Sequence, residues 1–290
     1  MNITLLTNVL SGTENSRLSE EATKFGHTLT ILEPQNLTVH IENNTLSIPE
    51  LDDTKPNIVI LRGVLVSVKK IVALISYCRS KNIKVFDNNL LQMQYSINKT
   101  SDLIKLGIEG LPLPNTFITE NFANMPALAE KLGYPLIVKP IDTGKGIGVT
   151  MIKNQEELTT YVESKKAAGT KAKRTILQQF IPYLHDLRIL VIGDQTFCMK
   201  RIPPQGDFRA NFSIGGTVKL FELDKETKDL AITALRKIDM SIGGVDILIT
   251  DKNERYLLEV NHSPGFEGME KATDTNIALL FLTHAITSAK

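Results

Sequence analysis

The chain has 290 residues, 42% hydrophobic and 22% charged, which suits a globular protein of about two domains and excludes a disordered one. A net charge of +1 gives no basis for nucleic acid or an acidic membrane surface as a partner, and Cys78 and Cys198 are too few for a disulfide framework. The start Met1-Asn2-Ile3-Thr4-Leu5 lacks the basic region of a signal peptide, and no apolar run reaches the roughly 18 residues of a membrane span, so a cytoplasmic location is expected.

The first stretch alternates strands and helices. Ile3 to Leu6 reads as a strand, Ser16 to Phe25 as a helix closed by Gly26, and His27 to Leu32 as a second strand. Ile58 to Leu61 is a third strand. Val66 to Cys78 is a helix whose apolar face carries Val66, Ile71, Leu74 and Ile75, and Lys84 to Phe86 is a fourth strand. This βαβ rhythm predicts a small parallel sheet over residues 1–92, an α/β arrangement. A boundary falls near Asn88-Asn89.

A helix over Ser101 to Leu106 ends at Gly107, and Leu111-Pro112-Leu113-Pro114 reads as a loop. Asn124 to Leu132 is helical, with Pro126 in its first turn and Gly133 closing it. Pro135 to Lys139 and Gly148 to Ile152 are strands on either side of a Gly-rich loop, and Glu156 to Ala167 is a helix. From Thr175 the chain becomes strand-rich: Thr175 to Phe180, Leu187 to Ile192 and Gln195 to Arg201. A helix over Lys225 to Met240 leads into a hairpin, and Ala272 to Ser288 closes the chain as one helix, giving an α+β C-terminal part.

The hairpin is the most informative feature. Val245 to Thr250 and Arg255 to Asn261 flank the polar turn Asp251-Lys252-Asn253-Glu254. If Thr250 faces Arg255, Asp246 faces Glu259, and Asn261 shares the face of Glu259 because strand side chains alternate. Opposed like charges destabilise a ladder unless a cation lies between them, and oxygen-only ligands suit Mg²⁺. The alternative for the hairpin alone is a solvated face with two acids. Residues 141–148, Ile-Asp-Thr-Gly-Lys-Gly-Ile-Gly, follow Lys139, and their backbone could approach phosphate oxygens. They lack the Ser or Thr of a P-loop, and a strand follows where the dinucleotide fingerprint needs a helix. Lys200-Arg201, then Gly206 to Asn211 with Arg209, then Gly215-Gly216, form a polar segment suited to anionic groups.

Taken in order, these features resemble the ATP-grasp superfamily, most closely its RimK-like carboxylate–amine (alpha-L-glutamate) ligases, over the whole chain. The resemblance implies a pre-ATP-grasp domain at 1–92, a central subdomain with the Gly-rich loop at 93–177, and a C-terminal subdomain with the metal site at 178–290. Lys99 and Lys139 match the family's two phosphate-binding lysines. Asp142 to Gly148, with Gly144 and Gly146, resembles its flexible loop. Gln178-Gln179-Phe180-Ile181 resembles the hinge that receives adenine, and Asp186-Leu187-Arg188 a family Asp-x-Arg element. Gly206-Asp207-Phe208-Arg209-Ala210-Asn211 resembles a RimK-type signature, which adds Asn211 to the nucleotide-binding set. Asp246, Glu259 and Asn261 match the metal triad, and Ser263 to Gly268 the motif that follows it. The chain departs from the family at Asn98, where Asp is common, and at Gln179, where Glu is usual. It departs again at Ser213-Ile214, where an Arg precedes the glycines, and at His262, which replaces a small residue.

The implied reaction is ATP-dependent amide formation through an acylphosphate, with ADP released. ATP and Mg²⁺ or Mn²⁺, two ions per site, are the implied cofactors, and glutamate the implied acid. The acceptor is an amine on a peptide, a protein or another molecule. Arg201 and Arg209 are the catalytic candidates, placed to stabilise the acylphosphate and the oxyanion. Relatives often form homo-oligomers, and the resemblance carries that expectation. Competing readings are a ligase for another amino acid or a small-molecule acceptor, and a nucleotide-binding regulator without turnover. A dehydrogenase is disfavoured because Asn8 to Thr13 lacks the required glycines.

Overall fold

The structure, a computed structural model, describes residues 1–43, 45–87, 90, 98–141, 147–169, 175–203 and 217–290. Gly144, Gly146, Arg209 and Asn211 therefore lie outside the described residues, as does the expected boundary at Asn88-Asn89.

The N-terminal elements are β1 (Asn2–Leu6), α1 (Thr13–Lys24), β2 (Thr28–Leu32), β3 (His40–Glu42), β4 (Thr45–Ser47), α2 (Pro49–Asp52), β5 (Ile58–Leu61), α3 (Val68–Ser80) and β6 (Lys84–Phe86). Four of these strands make the expected parallel sheet, in the order β2-β1-β5-β6, while β3 and β4 form a separate hairpin. α1 begins three residues before Ser16, with Gly12 in the cap position and Glu14 in the first turn, where a carboxylate suits the helix dipole. Val66 is not part of the buried face. It sits in a 3₁₀ turn ahead of α3 and is 89% exposed, because the tighter turn breaks the helical phase, whereas Ile71, Leu74 and Ile75 are buried.

The middle of the chain carries α4 (Lys99–Ile108), β7 (Thr116–Thr119), α5 (Met125–Leu132), β8 (Leu136–Pro140), β9 (Thr150–Ile152), α6 (Gln155–Ala167) and β10 (Thr175–Gln179). α4 runs past Gly107 and stops near Gly110, whose positive φ of 70° suits a terminating glycine. Its start is fixed by Asn98, whose side chain accepts from Ser101 N. The strands form an antiparallel sheet in the order β7-β10-β8-β9. β7 has no counterpart among the predicted elements, since the adjacent Leu111-Pro112-Leu113-Pro114 dominates that stretch as a loop signal. The Gly-rich segment joins two antiparallel strands as expected. At Gly148 (φ +76°) a Cβ would lie 2.8 Å from Pro140 Cγ, so this position requires glycine.

The last part comprises β11 (His185–Ile192), β12 (Gln195–Ile202), β13 (Thr217–Leu220), α7 (Lys225–Lys237), β14 (Ile242–Ile249), β15 (Arg255–Asn261), α8 (Glu267–Thr273) and α9 (Ile277–Ser288). Its strands form a five-stranded antiparallel sheet, β13-β12-β11-β14-β15. The single closing helix expected over Ala272 to Ser288 is two helices. Asp274 is left-handed (φ 50°), and Asn276 starts α9 by accepting from Leu279 N.

The five-stranded sheet is covered differently on its two faces. Leu187, Ile189, Val245 and Ile247 pack against Ala231 and Leu235 of α7, together with Leu106 of α4. On the other face, Leu190 and Ile192 join Phe266, Met269 and Phe281 in a core that continues into Ile3, Leu5 and Ile60 of the parallel sheet. The next residues along β11 on that face are Arg188 and Asp186, so it changes from apolar core to charged surface within one strand. α9 thus ties the ends of the chain together, and Val85 and Lys290 exchange both backbone hydrogen bonds. The Phe281 ring lies 6.4 Å from Phe86 and 6.3 Å from Phe266. Phe281→Ala is expected to lower unfolding free energy by about 3 kcal/mol, measured by urea denaturation.

Candidate active site

The hairpin reaches its expected pairing by an unexpected route. Asp246 faces Glu259, and Gly244 faces Asn261, but Ile249, not Thr250, faces Arg255. Without correction this register would set Asp246 opposite Leu258. A β-bulge makes Leu258 the extra residue, which restores the Asp246–Glu259 pair while keeping Leu257 and Val260 in the core. Bulges re-aim side chains in this way next to functional sites.

β11 and β12 complete the charged face. Arg188 lies opposite Asp246, and Asp186 opposite Arg201. Arg188 Nη2 donates to Asp246 Oδ2 at 2.8 Å, and its Nε lies 2.5 Å from Oδ1 without hydrogen-bond alignment. Arg201 Nη2 contacts both Asp186 oxygens, at 2.7 and 2.6 Å, and lies 3.0 Å from Asp246 Oδ2. Asp246, Asp186 and Arg201 are all buried. Burial works to raise the Asp246 carboxyl, but Arg188 and Arg201 outweigh it and hold the group below its ordinary value. Asp186 is raised, first by burial and then by the charge of Asp246, against the pull of Arg201. Gly244 keeps this space open, since a Cβ there would sit 3.1 Å from Pro264 and 3.5 Å from Arg188 Nη1.

The two lysines approach from the other side. Lys99, the first residue of α4, places Nζ 3.5 Å from Glu259 Oε2. Lys139 is buried in β8, and its Nζ donates to Gln178 Oε1 at 3.0 Å. Gln178 Nε2 in turn donates to Thr116 Oγ1 at 2.9 Å, so β7 and β10 hold the lysine in place. Burial pushes the Lys139 ammonium down to about 8, against the raising pull of Glu259 and Asp246, with Lys99 adding to the depression. A narrow crevice lined by Lys99, Leu103, Lys139, Ile176, Leu258 and Glu259 joins the central sheet to the β14–β15 hairpin. The expected hinge follows at its edge. Gln178 is committed to Lys139, Gln179 N donates to Asn115 O, and Phe180 and Ile181 lead out of β10.

Three contacts have no counterpart in the sequence reading. Asp102 of α4 and His262 form a buried pair, Asp102 Oδ2 lying 2.8 Å from His262 Nε2. Arg62, at the end of β5, is buried and donates to Pro264 O at 3.0 Å, while Ser263 Oγ accepts from Gly63 N at 2.7 Å. These two bonds dock the segment after β15 onto the parallel sheet. Thr116 belongs to a strand that was not predicted. The departure at His262 was the one sequence signal that pointed toward any of them.

A family profile for the RimK-like ATP-grasp domain matches residues 96–284. The chain belongs to the RimK-like ATP-grasp family. A probable alpha-L-glutamate ligase of Pasteurella multocida is 29% identical over 281 residues, covering 92% of this chain and 88% of that one. Among solved structures, a RimK domain ATP-grasp protein from Sphaerobacter thermophilus superposes with a TM-score of 0.74 at 16% identity, over 99% of this chain and 100% of that one. The ATP-grasp ligase PsnB, complexed with a variant precursor, Mg and ADP, gives a TM-score of 0.74 at 18% identity, covering 99% and 98%. The fold is that of ATP-grasp ligases, and membership of the RimK-like family makes the chain an ATP-dependent ligase.

The donor set fits a hard cation. Among the described residues no three His, Cys, Asp or Glu side chains form a cluster that could hold a metal ion, and the candidate ligands that the family resemblance implies are two carboxylates, Asp246 and Glu259, and the Asn261 amide. Asp246 Oδ1 is buried against Arg188 Nε without an aligned hydrogen bond, so a cation bound there would take the place of that guanidinium contact. Asn261 Oδ1 accepts from Ser263 N at 3.0 Å, which fixes the amide in one orientation and leaves its second lone pair.

The low Lys139 value carries a pH dependence. Bound phosphates favour the ammonium and raise its pKa, so binding takes up a proton wherever free Lys139 is neutral. Affinity for an ATP analogue with Mg²⁺ should therefore be flat below about 8 and fall above it. The slope should approach about tenfold per pH unit. Titration calorimetry across this range should show that slope in the wild type and none from this group in Lys139→Met.

Proposed function

We propose that this chain ligates an amino acid, glutamate in the first instance, to the amino group of a peptide or protein acceptor through an acylphosphate. The observation that carries the reading is the alignment of Asp246, Glu259, Arg188 and Arg201 on one sheet face, with Lys99 and Lys139 facing it across a crevice. Phosphoryl transfer needs positioning and charge neutralisation more than covalent help from the protein, and this arrangement supplies both. Glutamate is supported by the relatives named alpha-L-glutamate ligases, and by arginines able to receive carboxylates.

In the first step the acid's carboxylate oxygen attacks the γ-phosphorus, the β–γ P–O bond breaks, and ADP leaves. In the second the amine attacks the acyl carbon, the C–O bond to phosphate breaks, and the amine loses a proton. Lys139, oriented by Gln178, and Lys99 neutralise phosphate oxygens. Asp246, Glu259 and Asn261 would hold the metal ions, two per site, which when bound neutralise the β- and γ-phosphates. Arg201 is fixed by Asp186 and stabilises the developing charge with Arg188, a task that Arg209 shares on the sequence reading. The hinge Gln178 to Ile181 receives adenine, while Gly144, Gly146 and Asn211 complete the nucleotide contacts. The parallel-sheet segment 1–92, the central segment 93–177 and the C-terminal segment 178–290 divide this work. Among the described residues no helix is long and apolar enough to cross a membrane, and a cytoplasmic setting is proposed.

Asp246→Asn and Glu259→Gln should each reduce ADP release by at least about 100-fold, the scale for loss of a group that stabilises transition-state charge. Circular dichroism should show both variants folded. Hydroxylamine added to enzyme, ATP, Mg²⁺ and single amino acids should trap a hydroxamate with glutamate. A hydroxamate with a different acid would discard glutamate, and neither hydroxamate nor ADP with any acid and peptide acceptors would favour a regulator.

A further inference from the structure

Polar contacts tie the front of α4 to β15 and the residue after it. One tie is the Lys99–Glu259 ion pair at 3.5 Å. A second is the 2.8 Å bond between Asp102 and His262. Asp102 stands one helical turn after Lys99, and His262 follows Asn261 at the end of β15. Under the proposed function the first tie does not survive the reaction. When Glu259 turns to a metal and Lys99 to phosphate, their direct contact is given up, and the His262–Asp102 bond then remains to hold the front of α4 against β15.

Two further observations favour a geometric role over a purely stabilising one. His262 Nδ1 and Asp102 Oδ1 are both buried and have no hydrogen-bond partner among the described residues. A pair kept for stability alone would not leave two buried polar atoms unsatisfied, since an apolar pair of similar volume avoids that cost. The far end of α4 is anchored independently, by the Lys105–Asp239 ion pair, by Lys237 on Glu109 at 2.5 Å, and by Leu106 in the core with α7. Breaking the His262–Asp102 bond would therefore loosen the turn that carries Lys99 and leave the rest of the helix seated.

We propose that His262 is a positioning residue for the phosphate site: through Asp102 it holds the first turn of α4 so that Lys99 meets the nucleotide phosphates. This rests on the reading of Lys99 as a phosphate ligand given above, and the test separates the two. Affinity for a non-hydrolysable ATP analogue with Mg²⁺ is measured by calorimetry for the wild type, His262→Ala, Lys99→Ala and the double variant, with folding checked by circular dichroism and thermal melting. His262→Ala should weaken binding about fivefold when Lys99 is present and less than about 1.5-fold when it is absent, the non-additivity expected of residues acting as one unit. His262→Gln, whose Nε2 can still donate to Asp102, should restore affinity to within about twofold of the wild type. His262→Asn, too short to reach Asp102 Oδ2, takes the place of His262→Ala if that variant does not fold. Equal losses in both Lys99 backgrounds would overturn the positioning role alone. No loss on Lys99→Ala would overturn the phosphate reading and this inference with it.

Discussion

Two carboxylates and two guanidiniums lie side by side on one face of the five-stranded sheet, and three of the four are buried. Removing such charges from water costs several kcal/mol per ion, so each is tolerable only because the others neutralise it. Arg201 links Asp186 to Asp246, and Arg188 holds Asp246 from the other side. The rest of the site depends on this ladder. It keeps Asp246 ionised in a buried setting and, under the proposed function, presents cations beside the place where phosphate charge develops. Its alignment follows from strand register, which is why the Leu258 bulge matters. If the strands paired without the bulge, Asp246 would face Leu258 and Glu259 would turn toward the core face of the sheet.

The central sheet makes the opposite electrostatic choice. Lys139 is buried with a neutral partner, Gln178, in place of a carboxylate. An ammonium in that setting has unsatisfied attraction for anions, and burial lowers its pKa to about 8. A carboxylate bonded to it would stabilise the ammonium but compete with phosphate. Gln178 orients the lysine without cancelling its charge. The two halves of the site are therefore complementary: a self-neutralised ladder of carboxylates and guanidiniums on one side, and a buried lysine with a neutral hydrogen-bond partner on the other.

Much of this was legible in the sequence, because local chemistry decided it. The βαβ rhythm pointed to the parallel sheet, and counting back from the polar turn with alternating strand side chains pointed to the face that Asp246 and Glu259 share. Their pairing was anticipated with a uniform register, and the bulge escaped because it needs the packing of Leu257 and Val260 to reveal it. The closing helix was read as continuous because Asp274 gives a left-handed break that apolar periodicity does not register. Val66 was assigned to a buried face because periodicity cannot distinguish a 3₁₀ turn from the helix that follows it. Asp102 and His262 are separated by 160 residues, so their bond is a property of tertiary packing.

The central claim is that Asp246 and Glu259 turn from protein cations to metal ions when nucleotide binds. Anomalous diffraction from crystals grown with Mn²⁺ and a non-hydrolysable ATP analogue tests this directly. The account predicts anomalous peaks within about 2.3 Å of Asp246 and Glu259 oxygens, an ordinary metal–oxygen distance, with Lys99 moved from Glu259 to a phosphate oxygen. Peaks only on the phosphates, with Arg188 and Arg201 still occupying Asp246 and Lys99 still on Glu259, would contradict it.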